Sequence, residues 1–485
     1  MTRNNKSTLL IVFLTVFIDL LGFGIVLPLL PRYGSWFNAS EMQLGLLMAS
    51  FSAMQFVFAP MWGALSDRVG RRPVLLLGLT GSMTSYALFG FASSLGREGR
   101  LLGLTPLTWM FIARIGAGIA GATISTAQAV IADSTGAAGR GRGMALIGAA
   151  FGLGFTFGPL IGAACVSEDA SVGLNDAQYA LVRTWTDSAG SGSDEQLTRD
   201  AFISEMERLG SFSRADREAA GILLGRPLSR AVLAASLLRP PSPLPGYVAG
   251  ALSGLALLLA LVRLQESRQR GGQESGGHAH RSWFSRRQLT YCLVHPAFSA
   301  ILISIFITTF GFAQFESTLS LLTREFGYNS RSNFLLFAYV GLVLSVGQGL
   351  LVRRFLPRIG EYRMALAGAV LMTVGFVLIG LIGSRSLPAS ALWGILPIVV
   401  IGFSAVTPSL NSLLSQAASG DEQGLVLGTG QSLSSLARIL GPWAGIQLMA
   451  FSAATPYFLG AGLILAGGIL ITRIRRPQRL DSPNA

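Results

Sequence analysis

The chain has 485 residues, of which 51% are hydrophobic and only 13% are charged, and its formal net charge is +13. The charged fraction is about half that of an ordinary soluble domain, which argues against a soluble protein. In a soluble chain a charge of this size would favour a nucleic-acid partner. Here the arginines stand in the gaps between apolar segments. The composition therefore predicts a membrane protein without a nucleic-acid partner.

Apolar segments long enough to cross a bilayer, roughly 20 residues each, occur about twelve times along the chain. Lipid offers no partner for unpaired backbone groups, and the segments lack the alternation of a barrel strand, so all are predicted to be helices. The predicted fold is an all-α polytopic membrane protein with twelve transmembrane helices. The spans are predicted at 8–31, 42–65, 74–94, 106–131, 143–165, 246–263, 297–321, 334–355, 364–383, 391–415, 425–450 and 454–473.

The arginines also predict the orientation, because positive charge in short loops stays on the cytoplasmic side. If the N-terminus is inside, most arginines fall in cytoplasmic gaps. The first apolar run is too long for a signal peptide and is followed by many more, so it is interpreted as the first span. Both termini are therefore expected in the cytoplasm, with the protein in the inner (cell) membrane. The short outer gaps hold only Arg32, Arg97, Arg100, Arg324, Arg331 and Arg385.

Span one carries a single acid, Asp19, about ten residues into the run and so near the middle of the membrane. Span four carries a single arginine, Arg114. A charge at the centre of a span costs about 2.5 to 3.5 kcal/mol on insertion scales and is expected to face an interior partner. Asp19 and Arg114 are therefore predicted to pair.

The stretch GALSDRVGRRP at 63–73 fills the gap between spans two and three. Gly63 allows a close approach of helices, and Gly70 allows a tight turn. Pro73 is suited to the start of the next helix. The stretch is therefore predicted to be a short, shaped loop on the cytoplasmic side.

The charges of this loop have two interpretations. Its arginines can serve as a positive-inside anchor or pair with acids such as Asp133. The anchor does not explain Asp67, whose carboxylate is predicted to face a helix N-terminus at 423–426. The arginines are Arg68, Arg71 and Arg72.

At every specified position the stretch matches the loop motif G-x-L-x-D-R-x-G-R-R of the major facilitator superfamily, which the chain resembles along nearly its whole length. The resemblance implies a transporter of small molecules that works by alternating access and needs no cofactor. It also implies that the loop is a charge relay that locks the cytoplasmic side in one conformation. That role is carried over to Asp67, Arg68, Arg71 and Arg72.

In span four, ARIGAGIAGA resembles the family's R-x-x-x-G element through Arg114 and Gly118, with Ala117 where glutamine is frequent. The segment FIDLLGFGIVLPLLPRY of span one resembles the drug:proton antiporter branch, above all its tetracycline-efflux and tetracycline-transporter-like members. These resemblances imply export of a compound in exchange for protons.

In span five, GFTFGPLIGA at 154–163 resembles the antiporter motif G-x-x-x-G-P-x-x-G-G, with Ala163 in place of the last glycine. Gly154, Gly158 and Gly162 share one helix face, which favours close packing and a hinge beside Pro159. Ordinary small-residue packing explains these glycines equally well from physics alone.

Two segments interrupt the rhythm of spans. Residues 166–245 are predicted to be an extracytoplasmic insertion whose stretch 194–224 has helical spacing and forms a small cap. A surface ornament is its simpler interpretation. Residues 264–296 are a Gly-rich basic linker in the cytoplasm, and His278 and His280 within it are interpreted as solvated rather than metal-binding.

The linker divides the chain into two six-helix halves, 1–263 and 297–485, which resemble each other. Aligning spans five and eleven places Gly158-Pro159 on Gly441-Pro442, and the loop sequence at 68–72 aligns with a second copy at 358–362. Repeated halves of this kind are typical of transporters, with the substrate site near the midplane between them.

Span seven carries Glu316 and span eleven carries Arg438, so the second half repeats the acid and base of the first. A carboxylate that alternates between a desolvated setting and an arginine neighbour can load and release a proton. The alternative is two ion pairs that only specify packing. Weaker candidates for a polar cavity lining, each explained as well by helix contacts, are Gln55, Gln128, Gln314, Gln348 and Asn411.

The sequence contains no Walker loop, no nucleophile paired with a base and no metal constellation, so an enzyme is not expected. The most specific hypothesis is a monomeric, proton-coupled antiporter that exports small hydrophobic organic compounds or drugs. One alternative is a facilitator or symporter that imports a metabolite. The other is a membrane receptor without transport that uses the insertion for recognition.

Overall fold

The computed structural model describes residues 3–134, 140–166, 174–187, 198–210, 217, 229–266, 286–296, 298–417 and 423–473. Within helices, some side chains also lie outside this description, among them those of Asp67, Gln128, Asp133 and 423–425. The predicted linker histidines, His278 and His280, and much of the stretch 194–224 are outside it as well.

The described chain is almost entirely helical, as the apolar segments predicted. The first part of the chain forms α1 Arg3–Val26, a 3-10 turn Leu27–Leu29, α2 Leu30–Trp36, α3 Glu41–Val69, α4 Arg71–Ser94, α5 Pro106–Gly121, α6 Ile124–Ser134 and α7 Arg140–Cys165. The insertion contributes α8 Asp176–Asp187, α9 Arg199–Arg208 and α10 Arg230–Leu237, followed by α11 Leu244–Arg263.

The remainder of the chain is helical too. It forms α12 Arg286–Val294, α13 Ser299–Glu325, α14 Ser330–Val346, a π-helical segment Gly347–Val352, α15 Arg353–Ile359, α16 Glu361–Gly383, a 3-10 turn Ala389–Ala391, α17 Leu392–Ala417, α18 Gln423–Met449 and α19 Thr455–Thr472.

Every predicted span coincides with one helix or with a succession of helical segments. Within the described ranges, ten helices are long and apolar enough to cross a membrane. The fifth predicted span offers the shorter apolar stretch Ala150–Cys165, and α18, the eleventh, is not among the ten. The all-helical membrane fold is thus confirmed, while the count of twelve spans stays a prediction.

The distribution of side chains also fits a bilayer. Large apolar residues such as Leu77, Leu258 and Leu465 are more than half exposed on the helix surfaces. Polar residues such as Arg114 and Ser253 are buried between the helices. A soluble protein rarely exposes contiguous apolar surface of this kind, so the exposed leucines mark the faces of the helices that meet lipid.

The chain groups into two compact units. The first contains Met1–Arg268 and Ser317–Leu342, and the second contains Gln269–Glu316 and Val343–Ala485. In the first unit, α1 packs against α7 and α11, and α4 packs against α5 and α11. In the second unit, α16 packs against α17 and α19. The division into six-helix halves at 264–296 stays a prediction.

Glycines bring α1 and α7 together. A Cβ on Gly154 would lie 2.8 Å from the Cβ of Leu20, and one on Gly158 would lie 2.8 Å from the carbonyl oxygen of Leu21. In the second unit, a Cβ on Gly441 would lie 2.8 Å from the carbonyl oxygen of Phe310 in α13. Gly158 and Gly441 therefore play the same packing role in the two units, as the alignment of spans five and eleven implied.

Candidate functional site

The carboxylate of Asp19 lies partly buried in α1 and is held by hydroxyl groups. Ser253 in α11 donates a hydrogen bond to Oδ1 of Asp19 across 3.0 Å. Ser82 in α4 supplies a second hydroxyl partner. Asp19 and Arg114, both among the residues that the structure describes, form no ion pair, so the predicted pairing is wrong in this conformation. Two helices that pack on α1 provide neutral partners for the acid instead.

The guanidinium of Arg114 is buried in α5 and lies against two aromatic rings. Its Cζ atom is 4.7 Å from the ring centre of Phe51 and 5.9 Å from that of Phe23. Nε and Nη1 are buried and have no hydrogen-bond partner among the described residues. Aromatic faces attract a cation but accept no strong hydrogen bond, so Arg114 keeps donors available inside the first unit.

Gly118 explains why α5 can place Arg114 there. A Cβ on Gly118 would lie 2.5 Å from the carbonyl oxygen of Phe51. Only a glycine allows α3 and α5 to approach this closely, and the approach brings the Phe51 ring to the arginine one turn away. The R-x-x-x-G spacing noted in the sequence is therefore a packing requirement for the cation–π contact.

Tyr86 in α4 was missed by the sequence analysis. It is 3% exposed and interacts electrostatically with both Asp19 and Arg114. Gly22 of α1 makes room for it, since a Cβ there would lie 3.0 Å from Cε2 of the ring. A lone tyrosine within an apolar span was the available signal. Asp19, Tyr86 and Arg114 thus line one polar region inside the first unit.

In the second unit, Glu316 of α13 and Arg438 of α18 attract each other electrostatically. Arg438 is exposed and Glu316 is partly buried. Their roles in coupling stay predictions.

The cavity candidates fall in different settings. Gln314 is fully buried and donates a hydrogen bond to the carbonyl oxygen of Pro456. Such a bond satisfies a helix contact. Gln55 is partly buried beside Gly121, while Gln348 and Asn411 are exposed.

The loop motif is held at its glycine and its last two arginines. Gly70 has φ +108°, which confirms the tight turn, and α4 begins at Arg71 so that Pro73 lies in its first turn. Residues 63–69 belong to the last turns of α3, so the predicted loop is reduced to Gly70. A Cβ on Gly63 would meet no described atom within 4 Å, so the predicted close approach of a helix there is wrong. The guanidinium of Arg71 donates to Oγ of Ser66 across 2.6 Å. The side chains of Asp67 and Asp133 lie outside the described residues, so the predicted grip of Asp67 on 423–426 stays a prediction.

A second polar cluster, which the sequence analysis did not identify, joins the 3-10 turn after α1 to α13 and α14. The amide of Asn333 donates to the carbonyl oxygen of Pro28 and to Oγ of Ser320. Ser320 donates to the same carbonyl across 2.9 Å. Buried Arg32 donates to Oγ1 of Thr323. Pro31 has no N–H to offer the Pro28 carbonyl, so the P-x-x-P spacing was the available signal.

The insertion folds into a small cap formed by α8, α9 and α10. Its core contains the fully buried Val182, Phe202, Met206 and Leu233. Gln178 donates from its side chain to the carbonyl oxygen of Met206 across 2.9 Å, which ties α8 to α9. Within 194–224 the structure describes helix α9, which agrees with the predicted helical spacing there, while the extracytoplasmic position of the insertion stays a prediction.

Arg97, in the loop after α4, docks the cap. It donates to Oδ1 of Asp176 across 2.7 Å and to the carbonyl oxygen of Leu174, and its Cζ lies 4.8 Å from the ring centre of Tyr179. Burial raises the pKa of the Tyr179 phenol, and the nearby Glu98 carboxylate raises this pKa further, so the ring stays neutral. Arg183 pairs with Glu98 beside it.

A cleft of about 540 Å³ lies between this loop and α8. Three arginines and three acids line it, and they balance each other in charge. Since two of the arginines are paired with acids of the same cleft, the cleft serves as the junction that holds the cap.

Comparison with known proteins gives consistent results. The family model described as Major Facilitator Superfamily matches residues 12–171 and 219–442. Major facilitator superfamily domain-containing protein 10 from Homo sapiens is 30% identical, with coverage of 98% of this chain and 94% of the relative. The class C tetracycline resistance protein from Escherichia coli is 28% identical, with 95% of each chain covered.

Solved structures show the same fold. The crystal structure of the human organic anion transporter MFSD10 has a TM-score of 0.59 at 24% identity, with 97% of this chain and 100% of that chain covered. The D-xylose-proton symporter has a TM-score of 0.60 at 15% identity, with 96% of this chain and 97% of that chain covered.

Proposed function

This chain belongs to the major facilitator superfamily and is a multi-pass membrane transporter rather than an enzyme, and we propose that it exports small hydrophobic organic compounds in exchange for protons by alternating access. The lipid bilayer and a small-molecule substrate are its partners. The proposal includes a monomer without a nucleic-acid partner. It also places both termini in the cytoplasm and the protein in the inner (cell) membrane, on the strength of the arginine distribution.

The observation that carries the proton coupling is the setting of Asp19. A carboxylate inside a span is costly, and it is usually paired with a base when its role is structural. Asp19 is instead held by the hydroxyl of Ser253, which can donate to the charged form and accept from the protonated form. The site therefore accommodates both protonation states without breaking an ion pair.

Arg114 completes the coupling. The guanidinium sits between aromatic rings with free donors, on the same polar region as Asp19 and Tyr86. A substrate or a rotamer change that brings Arg114 to Asp19 favours the charged carboxylate and so drives release of its proton. Glu316 and Arg438 are proposed to do the same in the second unit.

The substrate class rests on the relatives. Several of them are tetracycline resistance proteins and one is a multidrug resistance protein, which favours drug-like organic compounds. A second candidate is an organic anion, because a solved relative is named as an organic anion transporter. The buried Arg114, with donors that no described residue engages, suits the carboxylate of such a substrate.

Everted membrane vesicles with an imposed proton gradient test the proposal. A panel of tetracycline, other amphipathic drugs and aromatic carboxylates is offered, and accumulation is compared with and without the gradient. Gradient-driven accumulation of at least one compound, lost in Asp19→Asn, is expected. Accumulation that persists in Asp19→Asn, together with unchanged proton movement, would rule out the antiport mechanism.

The alternatives give different results in the same assay. A facilitator equilibrates the compound regardless of the gradient, and a symporter moves compound and protons in the same direction. A receptor that uses the insertion transports nothing and loses its ligand when residues 170–240 are deleted. Transport that survives this deletion supports the interpretation of the cap as a surface feature without a role in transport.

A further inference from the structure

Helices α4 and α11 run antiparallel and cap each other where their ends meet. The backbone N–H groups of Arg71 and Arg72, the first two residues of α4, donate to Oε1 and Oε2 of Glu266 across 2.9 and 3.1 Å. In return, the guanidinium of Arg72 donates to the carbonyl oxygen of Leu261 in the last turn of α11 across 2.8 Å. An acid thus sits at one helix N-terminus and a base at the other helix's C-terminus, as the helix dipoles favour.

Glu266 reaches this position because the chain is anchored just before it. Leu264, the residue after α11, is extended and 3% exposed, and it packs in the core with Leu9, Leu75 and Leu79. Glu266 itself is exposed. Its side chain is therefore presented to α4 by a buried neighbour, although it belongs to the first residues of the predicted linker.

Gly70 of the loop motif fits this arrangement. A Cβ at Gly70 would lie 2.5 Å from Oε2 of Glu266, and φ of +108° disfavours any other residue. Helix α4 has no side-chain cap of its own and no acid in its first turn. The carboxylate that the local sequence lacks is supplied by a residue that lies 195 positions away from Arg71.

The second copy of the loop also has a carboxylate at the start of the helix that follows it, but there the acid belongs to the helix itself. Gly360 precedes α16 with φ +82°, and the first residue of that helix is Glu361. The carboxylate of Glu361 accepts hydrogen bonds from Ser412 and Gln416 of α17. Where the first copy has Arg71, the second has an acid of its own. A carboxylate therefore stands at the N-terminus of the helix in both copies.

We propose that Glu266 is a positioning residue for the loop motif: its carboxylate joins the start of α4 to the end of α11, so that the turn at Gly70 moves with α4 and α11 as one body during transport. This inference rests on the proposed function as a transporter. It assigns the first residues of the linker a mechanical role, since they hold the loop in the shape that lets Asp67 and Arg68 act.

Glu266→Ala and Glu266→Gln test the assignment, with Glu274→Ala, another glutamate of the same linker, as the control. Hydrogen exchange of a peptide spanning 70–75 is measured in the purified full-length chain in nanodiscs. The Ala variant loses both hydrogen bonds and the Gln variant retains one acceptor. Loss of a cap that is worth about 0.5 to 2 kcal/mol corresponds to exchange that is about two- to thirtyfold faster, with Gln between wild type and Ala.

Transport by the same variants separates positioning from binding. Glu266→Ala is expected to lower the maximal rate about five- to tenfold while KM stays within about twofold of wild type, because the substrate site is untouched. Wild-type exchange and wild-type transport in Glu266→Ala would overturn the proposal. A rise in KM with an unchanged maximal rate would overturn it as well. If wild type transports nothing, the proposed function fails, and the exchange experiment still decides whether Glu266 holds α4.

Discussion

The hydroxyl of Ser253 in α11 donates a hydrogen bond across 3.0 Å to the carboxylate of Asp19 in α1. A hydroxyl partner leaves the charge of the acid uncompensated, whereas an arginine partner would fix the carboxylate in its ionised form. The contact also joins two helices that pack along their length. Asp19 is therefore part of a helix interface, and the proton exchange proposed for it would not require an ion pair to break.

Ser253→Ala removes this donor without adding volume. We expect the rate of gradient-driven transport to fall about three- to tenfold, since a hydrogen bond to a charged group is worth about 1.5 to 3 kcal/mol when fully buried, and Asp19 is only partly buried. Vesicle uptake measures the rate. The control is Ser50→Ala in α3, because the hydroxyl of Ser50 donates to the Leu47 carbonyl of its own helix. Equal losses in both variants would contradict a specific role for Ser253.

Phe51→Leu removes the aromatic face that lies 4.7 Å from Arg114 while it keeps an apolar side chain in place. A cation–π contact is worth about 0.5 to 2 kcal/mol, so the guanidinium should become more mobile and transport should slow about two- to tenfold. Phe51→Tyr keeps the ring and should retain the wild-type rate. Phe58→Leu, on the same helix, is the volume control. A rate in Phe51→Leu that matches Phe58→Leu would show that the ring does not support Arg114.

The sequence predicted the helices well, because membrane insertion depends on local composition, and several of its glycines do allow close packing. Gly118, Gly158 and Gly70 all lie where another backbone or side chain approaches closely. Partnerships between charged groups were harder to predict. The opposite charges of Asp19 and Arg114 suggest a pair when only the sequence is known. In the structure their neighbours include Tyr86 and Ser253 from other helices, and the packing of those helices decides which groups meet.

The partner of Glu266 could not be predicted from the sequence either. It lies at the start of the predicted Gly-rich, basic linker and is exposed. What the sequence could not provide is that Leu264 turns back into the core and directs the next acid to the start of α4. Contacts between residues so far apart in the chain depend on how α4 and α11 align, which no local pattern encodes.

Arg97→Ala should release the cap from the loop after α4. The variant loses the ion pair with Asp176, the bond to Leu174 and the contact with the Tyr179 ring. We expect faster proteolysis within 166–245 and unchanged transport, because the cap has its own core. Limited proteolysis in nanodiscs measures the release. Arg100→Ala is the matched control, since Arg100 lines the same cleft and is exposed. A loss of transport with Arg97→Ala alone would assign the cap a part in the cycle.

Asn333→Ala should loosen the contact between the turn at Pro28 and helices α13 and α14. The amide donates to the Pro28 carbonyl at 3.3 Å and to Ser320 at 3.1 Å, and its own carbonyl accepts from Thr323 at 2.8 Å. Buried groups that lose a partner cost about 1 to 3 kcal/mol. Thermal unfolding in detergent should therefore show a lower melting temperature. Ser332→Ala, in the adjacent position and less buried, controls for a change in α14 itself.

Because Ser320 still donates to Pro28, the turn keeps one bond, so complete unfolding is not expected. An unchanged melting temperature in Asn333→Ala would mean that the remaining bonds of Ser320 and Arg32 suffice to hold the cluster.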